Sequence, residues 1–288
     1  MTKPTELFLL GAMRSGTTYL RNVVGSNPSV MTLGSEMNNF WTETANAPCG
    51  KVAHCLPRKA KDATPELIER VRQEFTGFYK NKNIPSNIVY RCYRKFRYKN
   101  ESLIKQGTPF YLLNKSTHLL NKVDFINAIF PDAKYIFIIR DIYSQSNSLN
   151  NHLKQYTTQN TIPNYPRKNG ECWSFTENNT TTDFSDIPYY WIEQNSIALI
   201  SLDKLNKEQV LYIDYNMICN ELGQSLKKIS EFLGITYNID QISNQVINNT
   251  TISPLTSWES QLSSKQKDTI DKTIKNFEDD YKYIMSHL

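Results

Sequence analysis

At 288 residues the chain is long enough for one large domain or two small ones and for a sizeable buried core. With 39% hydrophobic and 12% aromatic residues it is not a disordered chain, and a formal charge of +5 spread along its length suits an anionic small ligand but is too diffuse for a nucleic-acid surface. No apolar run approaches the roughly 20 residues of a membrane-spanning helix.

The first element is the most informative. Leu7 to Leu10 form a short apolar run closed by Gly11, which reads as a buried strand. Gly11 and Gly16 bracket a tight loop, and Thr17 and Thr18 lead into Leu20, Val23 and Val24 at helical spacing. A strand, a glycine-bracketed loop and a helix start make an anion-binding device. Successive N–H groups line one concavity, and the helix dipole adds about half a positive charge there. The general nucleotide P-loop has a lysine after its second glycine. Here Thr17 stands in that place and the fixed cation, Arg14, lies inside the loop. An NTPase uses its lysine on the β/γ-phosphates beside Mg²⁺, so the shifted cation points to a different donor.

Farther along, Ser29–Leu33 reads as a second strand. Residues 42–105 form a less regular stretch, expected as an insertion or cap, with one clear helix from about Pro65 bearing Leu67, Ile68, Val71, Phe75, Phe78 and Tyr79 on one face. Phe110–Leu113 is a third strand. A helix carrying Leu119, Leu120, Val123, Ile126 and Ile129 stops at Pro131. Lys134–Ile139 is a continuous apolar run suited to the middle of a parallel sheet covered on both faces. Residues 155–186 are polar and aperiodic and read as a substrate lid. Ile187, Trp191, Ala198, Leu202 and Leu205 mark a helix and Val210–Ile213 a strand. A second amphipathic helix ends at Gly234, and the tail keeps Leu262, Ile274, Phe277, Tyr281 and Ile284 in helical register. Strands alternating with helices predict an α/β fold: a single doubly wound domain with a central parallel sheet flanked by helices. Ligands of such sheets bind at the carboxyl ends of the strands. That gathers residues near 11, 34, 114, 140 and 214 around one crevice.

Those ends carry chemistry. Arg140 closes the best strand, and Ser144, Ser148 and His152 follow at spacings of four on one helix face, an Arg fork backed by neutral donors for a phosphate. Glu36 follows the second strand and Lys115 follows the third. A carboxylate there can take a proton from an acceptor, typically for ~10²–10⁴-fold in rate. Each also has a bland reading: Glu36 as a carboxylate favoured by a helix dipole, Lys115 as a solvated strand-end lysine. His118 and His152 are rival bases. Five cysteines (49, 55, 92, 172, 219) without a C-x-x-C pair read as free thiols, and Cys49, His54 and Cys55 supply too few ligands for zinc.

Gly-x-x-Arg-Ser-Gly-Thr-Thr followed by Asn27-Pro28 resembles the 5′-phosphosulfate loop of sulfotransferases that use 3′-phosphoadenosine 5′-phosphosulfate (PAPS). Arg140 with Ser148 eight positions later resembles the 3′-phosphate signature of the same P-loop-like fold, although Asp141 and Ile142 differ from the common Arg-Asn-Pro opening. Gly34-Ser35-Glu36 with Phe40 and Trp41 resembles the stretch that holds the glutamate base of heparan-type members, with Ser35 in place of lysine. Leu113-Asn-Lys-Ser116 resembles the stretch whose lysine faces the sulfuryl group. The resemblance implies that Arg14, Ser15, Gly16, Thr17, Thr18 and Tyr19 hold the 5′-phosphosulfate, Arg140 and Ser148 the 3′-phosphate, and Tyr215 lies near the adenine. Thr251 and Ser253 fall where a late loop closes over the donor. Glu36 is then the base, or His152, while Arg14 and Lys115 stabilise charge on the transferring group. It implies PAPS as donor, 3′-phosphoadenosine 5′-phosphate (PAP) as product and no metal. The expected acceptor is the hydroxyl or amine of a small molecule such as a secondary metabolite or alkaloid, with a carbohydrate acceptor as an alternative. No nucleic acid or membrane partner is expected. Golgi members carry an anchor before this loop; here it begins almost at Met1, so a cytoplasmic protein is expected. An ATP/Mg²⁺-dependent small-molecule or nucleotide kinase and a non-catalytic nucleotide-binding module are the competing readings.

Overall fold

In the computed structural model, the structure describes residues 4–34, 36–49, 56–80, 109–155, 165–166, 172–173, 184–238, 242 and 256–288. Five strands form one parallel sheet: β1 (Thr5–Leu10), β2 (Val30–Thr32), β3 (Tyr111–Lys115), β4 (Lys134–Ile139) and, at one edge, β7 (Val210–Asp214). The order across the sheet is β2-β3-β1-β4-β7, with β1 in the middle. A short antiparallel pair, β5 (Tyr165–Pro166) and β6 (Cys172–Trp173), stands apart from it.

The period of two along β1 sends its side chains into two separate cores. Leu7 and Leu9 pack with Leu113, Ile136 and Ile138 against α1 (Thr17–Val24), α6 (Tyr215–Asn220) and α7 (Leu222–Leu233). Phe8 and Leu10 pack with Leu112, Tyr135, Phe137 and Ile139 on the other face. That face is covered by α2 (Pro65–Lys80), α3 (Val123–Ile129), α5 (Asp186–Leu202), α8 (Ser257–Gln261), α9 (Ser264–Asn276) and α10 (Glu278–Met285). The doubly wound parallel architecture read from the sequence is the one observed. Among the described residues no helix is long and apolar enough to cross a membrane.

Three expectations shift. The helix read over Leu119–Ile129 begins only at Val123, because Thr117–Lys122 is a turn whose polar groups are committed to other contacts: Ser116 Oγ accepts from His118 N at 3.1 Å, and Lys122 Nζ donates to His118 O at 3.2 Å. The tail, read as one helical register, is broken at Phe277 (φ −124°, ψ 41°), whose ring stacks on Tyr189 at 4.8 Å. The third strand runs on to Lys115, two residues beyond its apolar run.

The stretch 42–105 is described only to Lys80. Val71 and Phe75 of α2 are buried in the core on the Phe8 face of the sheet, and the basic run 91–99 lies outside the described residues. So does most of the lid expected over 155–186, and so do Ser35, Thr251 and Ser253.

Candidate active site

The carboxyl ends of the five parallel strands set five residues or loops in a row. Glu36 follows β2, Lys115 ends β3, the loop Gly11–Gly16 follows β1, Arg140 follows β4 and Tyr215 follows β7. Chain connections leave β1 toward β2 and β4 toward β7, in opposite directions. The switch point of the sheet therefore lies between the β1 loop and Arg140, where this class of fold opens a crevice.

The loop is shaped by its glycines. Gly16 has φ +96°, and a Cβ there would lie 2.4 Å from the Tyr215 ring. A Cβ at Gly11 would meet Ile138 O at 2.9 Å, so only glycine lets the loop lie this close to β4. Leu20 is the first residue of α1 to bond back, to Gly16 O at 3.0 Å. The N–H groups of the preceding first turn, Thr17 to Tyr19, are the ones an isolated helix leaves unused. Thr18 and Arg14 are exposed at the mouth, whereas the side chains of Ser15, Thr17 and Tyr19 are buried. Ser15 Oγ is buried in the loop without a hydrogen-bond partner among the described residues. Unused helix N–H groups, an exposed guanidinium and an unpaired hydroxyl fit an oxyanion.

Arg14 is held in the left-handed region at φ 69°, which costs a non-glycine residue about 1–3 kcal/mol unless its surroundings enforce it. They do. Arg140 Nη1 donates to Arg14 O at 3.2 Å, and Met13 is gripped on both sides, its N–H by Tyr190 OH at 3.0 Å and its carbonyl by Gln145 Nε2 at 2.8 Å. The Arg14 side chain then crosses to α4 (Ile142–Gln155), where Nε donates to Ser148 Oγ at 3.2 Å. Arg14 thus touches both expected grips, its main chain in the β1 loop and its guanidinium on the 3′-phosphate serine.

Arg140 is 4% exposed. Its Nε donates to Ser144 Oγ at 3.0 Å, its carbonyl accepts from Trp191 Nε1 at 2.8 Å, and its guanidinium lies over the Tyr215 ring at 4.3 Å. Ser144 Oγ in turn donates to Asp141. The buried Tyr215 therefore packs between Gly16 and Arg140, supporting the crevice from behind. Burial holds the Arg140 pKa below its usual value, offset by Tyr215 and Asp141.

On the other side of the loop, Lys115 Nζ meets Glu36 Oε1 at 2.5 Å and His118 Nε2 meets Oε2 at 3.4 Å, with Thr117 Oγ1 at 3.4 Å from the same oxygen. Lys115 sits across the ladder from Leu9, just before the loop begins. Burial pushes the pKa of His118 down to about 4, aided by Lys122 and Lys115 and opposed by Glu36. At neutral pH its ring is uncharged and the carboxylate only accepts, so His118 is the donor of that pair. His152 is apart from this cluster, on α4 one turn beyond Ser148. The Glu36–Lys115 pairing was legible as two strand ends; the Thr117–His118 clamp had no local signal. Of the possible zinc ligands, Cys49 is buried with its thiol on Asn38 O at 3.5 Å and its pKa pushed up to about 11 by burial, while His54 and Cys55 lie outside the described residues.

A family model described as "Sulfotransferase family" matches residues 4–238. Human protein-tyrosine sulfotransferase 1 is 23% identical over 139 residues, which are 47% of this chain and 31% of that protein. Nodulation protein NoeE of Sinorhizobium fredii is 27% identical over 146 residues, 51% of this chain and 31% of that one. These matches span about a third of the length of the relatives. Among solved structures, mouse sulfotransferase SULT7A1 complexed with PAP is similar in fold, with a TM-score of 0.50 at 14% identity over 99% of this chain and 89% of that one. A match running from β1 through every strand of the parallel sheet covers most of the chain, and the chain belongs to the sulfotransferase family.

Proposed function

We propose that this protein is a sulfotransferase that takes PAPS as donor and sulfates a hydroxyl or amine of a small-molecule acceptor. The observation that carries the reading is the bond from Arg140 to the carbonyl of Arg14, which joins two oxyanion grips at one crevice. Family membership and the PAP held by the mouse fold relative support the donor.

The donor supplies an activated sulfuryl group. The chain's own residues do the rest by position and charge. The first-turn N–H groups of α1 with Thr17, Thr18 and Arg14 would hold the 5′ end, and Ser148 with Arg140 behind it the 3′-phosphate. Glu36 takes the acceptor proton. Its two oxygens are fixed by Lys115 and His118, so the free lone pairs point in a set direction. Lys115, between Glu36 and the loop, offsets negative charge developing at the loop end. His118, uncharged and engaged by Glu36, orients the base rather than serving as one.

Thermal shift tests the donor directly: PAP should raise the melting temperature more than ATP with Mg²⁺ does. The reverse order would favour a kinase and sink the reading. Arg14→Ala should remove most turnover with PAPS; near-wild-type activity would refute its role. Mass spectrometry of a metabolite pool incubated with enzyme and PAPS would identify the acceptor.

A further inference from the structure

Among the described residues the most deeply buried charged side chain is Lys122, 2% exposed. The chemistry proposed above does not use it. Its ammonium has two partners among those residues, both uncharged acceptors: the His118 carbonyl at 3.2 Å and Asn121 Oδ1 at 2.7 Å. Burying an ammonium with no carboxylate bonded to it is costly, and a methionine would fill similar space without that cost. The two acceptors belong to the turn that carries Thr117 and His118 to Glu36, and Lys122 N closes that turn on Leu119 O at 3.0 Å. His118 is thereby fixed at three points. Its N–H donates to Ser116 Oγ at 3.1 Å, its carbonyl accepts from Lys122, and its ring Nε2 lies 3.4 Å from Glu36 Oε2. Burial lowers the Lys122 pKa to about 8, with Cys49 opposing and Arg58 adding to it, so the side chain still carries its charge at pH 7.

We propose that Lys122 is a positioning residue for the Glu36 base: it straps the turn 117–122 and so sets where His118 meets the carboxylate. The inference rests on the reading of Glu36 as the proton acceptor in transfer from PAPS. Glu36 sits in an irregular segment between Gly34 at φ 55° and Met37 at φ 54°, so no helix or strand fixes its direction. The carboxylate is aimed by the side chains that hold it, Lys115, Thr117 and His118, and two of these three belong to the turn braced by Lys122. A base works only when its lone pair meets the acceptor's proton, and a small displacement of a positioned group is expensive in rate. Removing the ammonium leaves the His118 carbonyl without that donor and frees the turn to shift. The donor grips follow β1 and β4 and take no bond from Lys122, so they keep their places.

The test is a double-mutant cycle on PAP release from PAPS in the metabolite pool, with wild type, Lys122→Met, Glu36→Gln and the double variant. Lys122→Met should lower turnover at saturating PAPS by about 10- to 100-fold. The KM for PAPS and the Kd for PAP in calorimetry should stay within about twofold of wild type. Added to Glu36→Gln, the same change should cost less than about twofold, because a residue that acts through the carboxylate then has nothing left to aim. Lys122→Gln keeps an amide donor for the His118 carbonyl and should recover part of the lost rate; it carries the cycle if Lys122→Met does not fold. Ile129→Ala, at the far end of α3, should lower the urea midpoint while leaving turnover unchanged. Equal losses in the wild-type and Glu36→Gln backgrounds overturn the assignment and leave PAPS and Glu36 in their roles. A fall in PAP affinity that matches the fall in rate, or wild-type turnover in Lys122→Met, also overturns it. Undiminished turnover in Glu36→Gln, or no PAP release by wild type, overturns both readings.

Discussion

Glu36 is held at both carboxylate oxygens by residues about eighty positions away, Lys115 at 2.5 Å and His118 at 3.4 Å, with Thr117 beside them. On the proposed reading, this arrangement separates proton transfer from donor binding. Glu36→Gln should lower turnover by about 10²–10⁴-fold while the Kd for PAP changes little; a parallel loss of PAP affinity in calorimetry would make the residue structural. His118 adds a pH signature of its own. Its folded-state pKa, about 4, lies below the ordinary histidine value of 6.5, so the unfolded chain binds more protons between those values. Stability should therefore fall as pH drops from about 6.5 toward 4. Urea denaturation of His118→Gln, which keeps a donor for Glu36 but cannot titrate, should show a shallower fall; an identical slope would place the titrating group elsewhere.

The loop between β1 and α1 is the element on which both grips depend. Gly16→Ala should destabilise the fold by about 1–3 kcal/mol, because the left-handed φ and the 2.4 Å approach to the Tyr215 ring both penalise a Cβ. It should also weaken PAP binding, since Tyr215 can yield only by moving against Arg140. Urea midpoints and PAP titrations check the two effects. This loop was legible from its glycines and Arg14, and β4 was read with its observed ends, because buried parallel strands and tight loops have local signatures. The start of α3 was not. Leu119 and Leu120 keep the apolar spacing of a helix, yet the turn they occupy is held by the Glu36 clamp and by Lys122, contacts that no local pattern encodes. The break at Phe277 was hidden for the same reason: its stacking partner, Tyr189, is far away in sequence. The hydrogen bonds that fix Met13 and Arg140 come from Tyr190, which the apolar pattern does not mark, and from Trp191, which it marks only as core.

Across the whole molecule, the C-terminus is tied to the sheet through one carboxylate. Asp203, just past the end of α5, accepts from Tyr212 of β7 at 2.6 Å, from Tyr283 of α10 at 2.5 Å and from His287 at 3.0 Å. Burial alone would raise its pKa, but these three hydrogen bonds outweigh it and hold the carboxyl below its ordinary value. A depressed carboxyl contributes stability in full above its unfolded-state value, near 3.8, and loses it as pH falls through the folded-state value. Asp203→Ala should cost about 1–3 kcal/mol, since it leaves three donors without their acceptor. Thermal or urea melts of the variant at pH 7 measure this, and at pH 3 the gap from wild type should narrow.

Helix α5 is thereby anchored at its far end while two adjacent residues near its start, Tyr190 and Trp191, grasp opposite banks of the crevice. Neighbouring positions on a helix keep a nearly constant separation, so the width of that gap is gauged from outside it. On the proposed reading, a nucleotide whose two oxyanions are spaced differently would find no compliant wall to accommodate it, and part of the selectivity for the donor's length would reside in a rod outside the crevice.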